Sequence, residues 1–239
     1  MSLSADMSLN IGRQAVPALR RCGSLLAFPI VLATCYVFAQ PSLSALQAQL
    51  VARFGAARSA LLDDWGRVLA QARNAGEERK LALVNDFFNK NILFEDDIST
   101  WQQADYWATP LETIGQGKGD CEDFAIAKYF SLRMAGIPIS KMRLVYVKAQ
   151  LTGGGEFVQR AHMVLAYYSR PQADPLVLDN LQKAIQPASK RRDLQPVFSF
   201  NSEGIFAGVS GAEPPSAGKL GRLSRWENLL QRARAEGFD

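Results

Sequence analysis

The chain has 239 residues, of which 48% are hydrophobic, 21% charged and 10% aromatic, with a formal net charge of +4. That balance excludes a low-complexity or charge-dominated disordered chain and suits one modest folded unit with a buried core. There is one histidine, His162, and of three cysteines only Cys121 lies beyond Ala39.

Residues 1–39 read as a secretory signal. Arg20 and Arg21 precede an apolar run, Leu25 to Ala39, and Val37-Phe38-Ala39 leaves a small residue where a signal peptidase cuts, before Gln40. The run is interrupted by Pro29 and is shorter than the roughly 20 apolar residues that span a bilayer as a helix, so the mature form is expected to have no stable membrane span. Cleavage removes three arginines and one acid and lowers the net charge from +4 to +2. Lys190-Arg191-Arg192 is then the one dense basic cluster, which reads as a solvated loop, and nucleic-acid binding is set aside. Cleavage also removes Cys22 and Cys35, leaving one thiol and no internal disulfide in a compartment that would be oxidising.

The mature chain, 40–239, is expected to form a single domain. Leu46 to Arg73 has apolar residues at steps of three or four, as one long amphipathic helix or a pair. Glu77 to Lys90 repeats the pattern through Leu81, Val84, Phe87 and Phe88. From Ile92 to Gly119 the periodicity fades into an irregular segment with Trp101, Tyr106, Trp107 and three glycines, of the kind that lines a cleft. Phe124, Ala125, Lys128, Tyr129 and Leu132 restore helical spacing until Gly136-Ile137-Pro138, so Cys121 falls in a first turn.

Strand-type runs follow at Arg143–Ala149, Val158–Tyr168 and Pro175–Leu178, the first two separated by Gly153-Gly154-Gly155 as in a hairpin. Gln195 to Phe200 adds another strand. A Gly/Pro-rich stretch near 204–221 leads to a C-terminal helix with Trp226, Leu229, Leu230 and Ala233, where Ser224 and Glu227 form a candidate capping box. Helices followed by an antiparallel sheet make an α+β fold, with a helical N-terminal part packed on the sheet.

A thiol attacks as thiolate, and the first turn of a helix supplies unpaired N–H groups and positive potential that favour it. An imidazole can take the thiol proton and return it to a leaving amine, while a carboxylate fixes the imidazole. The chain order is Cys121, then His162 in the second strand run, then Asp179 at the end of the third. The three are candidate nucleophile, base and orienting acid. Asp120, Glu122 and Asp123 suit a helix N-terminus but oppose a thiolate. A hard cation would offset them, and carboxylates are calcium ligands, although the spacing is not that of an EF-hand.

Gly117-Lys118-Gly119-Asp120-Cys121-Glu122-Asp123-Phe124-Ala125, with Ala161-His162-Met163-Val164, Leu178-Asp179-Asn180 and the upstream segment Tyr106 to Glu112, resembles the bacterial transglutaminase-like cysteine proteinases over roughly Trp65 to Phe200. The resemblance implies a papain-like α+β fold with a Cys121, His162, Asp179 triad. It also implies calcium dependence through Asp120, Glu122 and Asp123, and an oxyanion donor at the Cys121 N–H with Trp107 as a second candidate. Periplasmic members cut a very large surface adhesin near its N-terminus, within an alanine pair, releasing cells from a biofilm. They are held inactive by the periplasmic domain of an inner-membrane receptor for cyclic di-GMP. The same constellation is compatible with transglutaminase-type acyl transfer to an amine, or with a non-catalytic binding protein of this fold.

Overall fold

A computed structural model describes residues 42–153, 156–206, 209 and 224–238. The expected signal segment, residues 154–155 of the glycine connection, and 207–208 and 210–221 of the Gly/Pro-rich stretch lie outside the described residues.

The apolar repeat between Leu46 and Arg73 resolves into a pair of helices. α1 (Leu43–Phe54) is capped by Ser42, whose side chain accepts from the Ala45 N–H. It ends at Gly55, whose φ of 77° lies where a Cβ is disfavoured. After a 3-10 turn at Ala56–Arg58 comes α2 (Ser59–Arg73). α3 (Glu77–Asn91) opens on Glu77 and Glu78 and closes on Lys90, the charge order that the helix dipole favours. Leu50, Leu62, Trp65, Leu69, Leu81, Val84 and Phe88 form their buried faces.

Segment 92–119 is more regular than its sequence pattern implies. β1 (Leu93–Phe94) pairs in parallel with β2 (Lys118–Gly119), and α4 (Asp97–Trp101) and α5 (Pro110–Gln116) lie between them. α5 starts with a capping box: the Thr109 side chain accepts from the Glu112 N–H at 3.2 Å, and Glu112 accepts from the Thr109 N–H at 2.9 Å. Pro110 at the first helical position completes the signal. α6 (Cys121–Met134) follows β2 after one residue, Asp120.

The sheet comprises β3 (Met142–Gly153), β4 (Glu156–Tyr167), β5 (Leu176–Leu178), β6 (Gln186–Pro187), β7 (Leu194–Asn201) and β8 (Gly204–Phe206). Their order is β6-β5-β4-β3-β7-β8, with every neighbouring pair antiparallel. α6 packs on β3 and β4. Because strand side chains alternate, Leu144, Met163 and Leu165 join the main core, whereas Val145, Val147, Val164 and Ala166 form a smaller apolar layer on the other face.

α7 (Ser224–Glu236) closes the helical side, with Trp226, Leu229 and Ala233 buried and Leu230 partly so. The Trp226 ring packs edge-on against Tyr129 of α6 and Phe200 of β7, with centroids 5.9 and 5.3 Å away. The architecture is the α+β fold expected from sequence. Among the described residues no helix is long and apolar enough to cross a membrane.

Trp226 thus joins three elements through one fully buried ring. Replacing Trp226 by Ala is expected to cost about 3–5 kcal/mol, read as a lower urea midpoint with an unchanged slope. An unchanged midpoint would mean that α7 is not part of the cooperative core.

Candidate active site

Cys121 is the first residue of α6, and Asp120 is its N-cap, accepting from the Glu122 N–H at 3.2 Å through Oδ1. The helix start is fixed by the short parallel pairing of β1 with β2, which delivers the chain to Asp120. β5 pairs with β4 only along Leu165–Tyr167, and just beyond its end the Met163 backbone N–H reaches the Cys121 sulfur. The nucleophile candidate therefore docks beside the residue that follows His162. Burial, then the adjacent Glu122 and Asp120 carboxylates, push the thiol well above its ordinary range, against the opposing pull of the Met163 amide. The thiol donates to Glu122 Oε2 at 2.7 Å.

His162 Nε2 is 2.8 Å from Asp179 Oδ1, both side chains buried. The β4–β5 register pairs Leu165 with Leu178, which sets Asp179 level with Val164 and on the same side of the sheet as His162, two residues along. Asp179 is further held by the Leu181 N–H at 3.0 Å and by Arg191 Nη2, 2.7 Å from Oδ2. Burial alone would raise this carboxyl, but hydrogen bonds from His162 and Arg191 outweigh it and hold it at about 2. Arg191 is 5% exposed and also donates to Asp193, so the reading of the basic triplet as a solvated loop fails at its middle residue. With Nε2 committed to Asp179, Nδ1 is the ring nitrogen available to a thiol proton.

Carboxylates crowd the other side of the helix start. One group combines Asp120, Cys121 and Glu122; a second combines Asp97, Asp120 and Asp123, with one ligand atom from each within 4.8 Å of the others. The three expected acids are thus split between two groups that share Asp120, and Asp97 of α4 is an addition. Asp123 is fully buried, accepts from the Ala108 N–H at 2.7 Å through Oδ1, and leaves Oδ2 without a hydrogen-bond partner. Asp97 accepts from the Tyr106 N–H at 2.5 Å through Oδ2 and leaves Oδ1 buried and unpartnered.

Burial first, then mutual repulsion, pushes Asp97 up to about 6, Asp120 up to about 9 and Asp123 well above the carboxylate range. Calcium takes oxygen ligands at about 2.3–2.6 Å, so oxygens within 4.8 Å of one another can share one ion. The orphaned oxygens and the all-oxygen set fit calcium.

Trp107 is 6% exposed, stacks on Phe200 at 5.6 Å, and has a buried indole N–H with no hydrogen-bond partner. Its carbonyl accepts from Arg232 Nη2 at 2.6 Å, which ties the loop to α7.

A family model described as bacterial transglutaminase-like cysteine proteinase matches residues 67–192, more than half the chain and a span that holds Cys121, His162, Asp179 and all the clustered acids. The chain belongs to this family. It is a cysteine protease. Among solved structures it is similar to Legionella pneumophila LapG, at 34% identity and a TM-score of 0.67 over 81% of this chain and 99% of LapG. Similarity extends to the calcium-bound form (34% identity, TM-score 0.66, 80% and 98% of the two chains) and to the EGTA-treated form (34%, 0.68, 81% and 99%). Comparison with curated proteins gives no match.

Sequence reasoning missed Asp97 and Arg191. Asp97 sits in the segment read as irregular, well before Asp120 in the chain, and a single loop aspartate has no periodic signature. Arg191 lay inside a basic triplet whose members composition cannot separate, and only the Asp193 two residues on hinted at pairing.

In chelator, the raised carboxyls make folding bind protons. The unfolded chain has already released them above its ordinary aspartate value, so stability must fall as pH rises through the folded values. Asp179 acts oppositely, its contribution being complete above the ordinary value and lost only towards pH 2, while Lys128, lowered to about 7, adds an opposing slope above that pH. Between about pH 5 and pH 7 the urea midpoint of the cation-free protein is therefore expected to fall, and Asp120→Asn to flatten the trend. A midpoint that rises over this window would contradict the cluster's electrostatics.

Proposed function

We propose that the protein is a calcium-dependent periplasmic endopeptidase that cleaves the N-terminal region of a large surface adhesin at an alanine pair and so promotes release from a biofilm. Its activity is held in check by the periplasmic domain of an inner-membrane cyclic di-GMP receptor. Family membership and the likeness to LapG support this reading. The observation that carries the chemistry is the Nε2–Oδ1 contact of 2.8 Å between His162 and Asp179 on the strand against which the Cys121 helix start docks.

Cys121 is the nucleophile, His162 the base and acid, and Asp179 the orienting carboxylate. His162 Nδ1 takes the thiol proton, and the sulfur attacks the carbonyl carbon of the scissile peptide bond. The resulting oxyanion is met by the Cys121 N–H, one of the open amides of the helix start, and by the unpaired Trp107 indole. As the C–N bond breaks, His162 returns its proton to the departing amine, leaving a thioester. Water then attacks the thioester carbon, giving its proton to His162; the C–S bond breaks, the acid product departs, and His162 returns the proton to the Cys121 sulfur. Asp179, kept ionised by Arg191, stabilises the imidazolium in both halves of the reaction.

Asp97, Asp120 and Asp123, with Glu122 beside them, are the residues that would hold calcium. When bound, the ion supplies positive charge that offsets these carboxylates and eases thiolate formation at Cys121.

Purified protein incubated with an adhesin N-terminal fragment is expected to give a single cut, abolished by Cys121→Ala and by chelator and restored by added calcium. Cleavage by the Cys121→Ala variant would overturn the mechanism. Cleavage that is indifferent to chelator would remove the metal from it.

A further inference from the structure

Behind the His162–Asp179 pair lies a lysine that the chemistry above does not use. Lys128 is completely buried, an uncommon state for an ammonium, whose desolvation costs several kcal/mol. Its Nζ donates to Asn89 Oδ1 at 2.8 Å and to the Asp179 main-chain carbonyl at 3.1 Å, and lies 5.8 Å from the centre of the Phe124 ring. Asn89 Nδ2 donates to the same Asp179 carbonyl at 2.8 Å. Asn85, one turn earlier on α3, reaches the Lys183 carbonyl just beyond, at 2.8 Å. Two helices thus grip the turn after β5 from its inner side, while Arg191 holds its carboxylate from the other.

The position of Lys128 on α6 gives this grip a consequence for the reaction. It stands seven residues after Cys121, close to two helical turns, and so on nearly the same stripe of the helix. α6 is therefore tied to the strands at two levels: at Cys121 through the Met163 amide, and at Lys128 through Asp179. A packing role alone would be met at lower cost by an apolar side chain of similar volume. Burial lowers the ammonium to about 7 against the pull of Asp179, so the site tolerates the group rather than favouring it.

We propose that Lys128 is a positioning residue of this protease, which fixes the Asp179 main chain so that the His162–Asp179 pair stays in register with the thiol two turns earlier on the same helix. The inference rests on the triad reading above. Lys128 touches neither substrate nor reacting atoms; it acts through Asp179.

The test compares steady-state kinetics of full-length variants on the adhesin fragment. Lys128→Met keeps the apolar stem and removes the ammonium; it is expected to lower kcat by about 10–100-fold, the effect of a small misplacement in a catalytic group, with KM and melting temperature near native. Asn89→Ala, at a half-buried position, is expected to lower kcat in the same sense and by less. A native kcat in folded Lys128→Met, or a change confined to KM, overturns the proposal. Should that variant fail to fold, a native kcat in Asn89→Ala does so instead. Cys121→Ala, run in parallel, separates the two failures: residual cleavage there sinks the triad, whereas a dead Cys121→Ala beside a fully active Lys128→Met sinks only the positioning role.

Discussion

The start of α6 carries an electrostatic conflict on which the rest of the site depends. A nucleophilic thiol needs positive surroundings, and the helix dipole and the Met163 amide supply them. Yet Asp120 and Glu122 set carboxylates beside the same sulfur, and Asp120 is in turn grouped with Asp123 and with Asp97 of α4. Burial first, and then the two acids, prevail over the amide, and the thiol rises. Asp97 and Asp123, both grouped with Asp120, leave two buried carboxylate oxygens without partners, which is where a cation would resolve the conflict. On the proposed reading, proteolysis and metal binding are two aspects of one charge arrangement.

The scaffold around this point is built to hold it still. Glu112 of α5 accepts from Arg53 of α1, Arg232 of α7 and the Tyr106 hydroxyl, so the N- and C-terminal helices both anchor the loop that presents Trp107 and Ala108. Ala108 in turn donates to Asp123. On the opposite side, Asp179 is fixed at its side chain by His162 and Arg191 and at its carbonyl by Asn89 and Lys128. Cys121 thus sits between two networks of buried polar contacts. Such networks favour a single geometry when every member is satisfied, and the open valences at Asp97, at Asp123 and at Arg191 Nη1 are exceptions.

Much of this was legible in the chain. Periodicity placed α2 and α3, whose buried faces repeat with the helical period, whereas α6 and the end of β4 are buried on nearly every side and were placed by apolar runs between turn signals. Cys121, His162 and Asp179 stood out by scarcity and by position relative to those elements, and the structure sets His162 Nε2 2.8 Å from Asp179 Oδ1. What stayed hidden depends on contacts distant in sequence. Asp97 reaches Asp120 only because β1 and β2 pair across the whole of α4 and α5, and such short strands leave no pattern. Arg191 is buried by a turn that brings it back to Asp179. α5 was concealed differently: its Thr109–Pro110–Glu112 cap is a local signal, but the surrounding glycines and aromatics read as loop.

The acid cluster reaches the thiol through Asp120 and Glu122. The most direct measurement is the rate at which iodoacetamide alkylates Cys121, the one cysteine beyond Ala39, at neutral pH in chelator and again with calcium added. Alkylation is expected to be slow in chelator, to accelerate markedly with calcium, and to lose that acceleration in the Asp123→Asn variant. An alkylation rate that is the same with and without calcium would contradict this expectation.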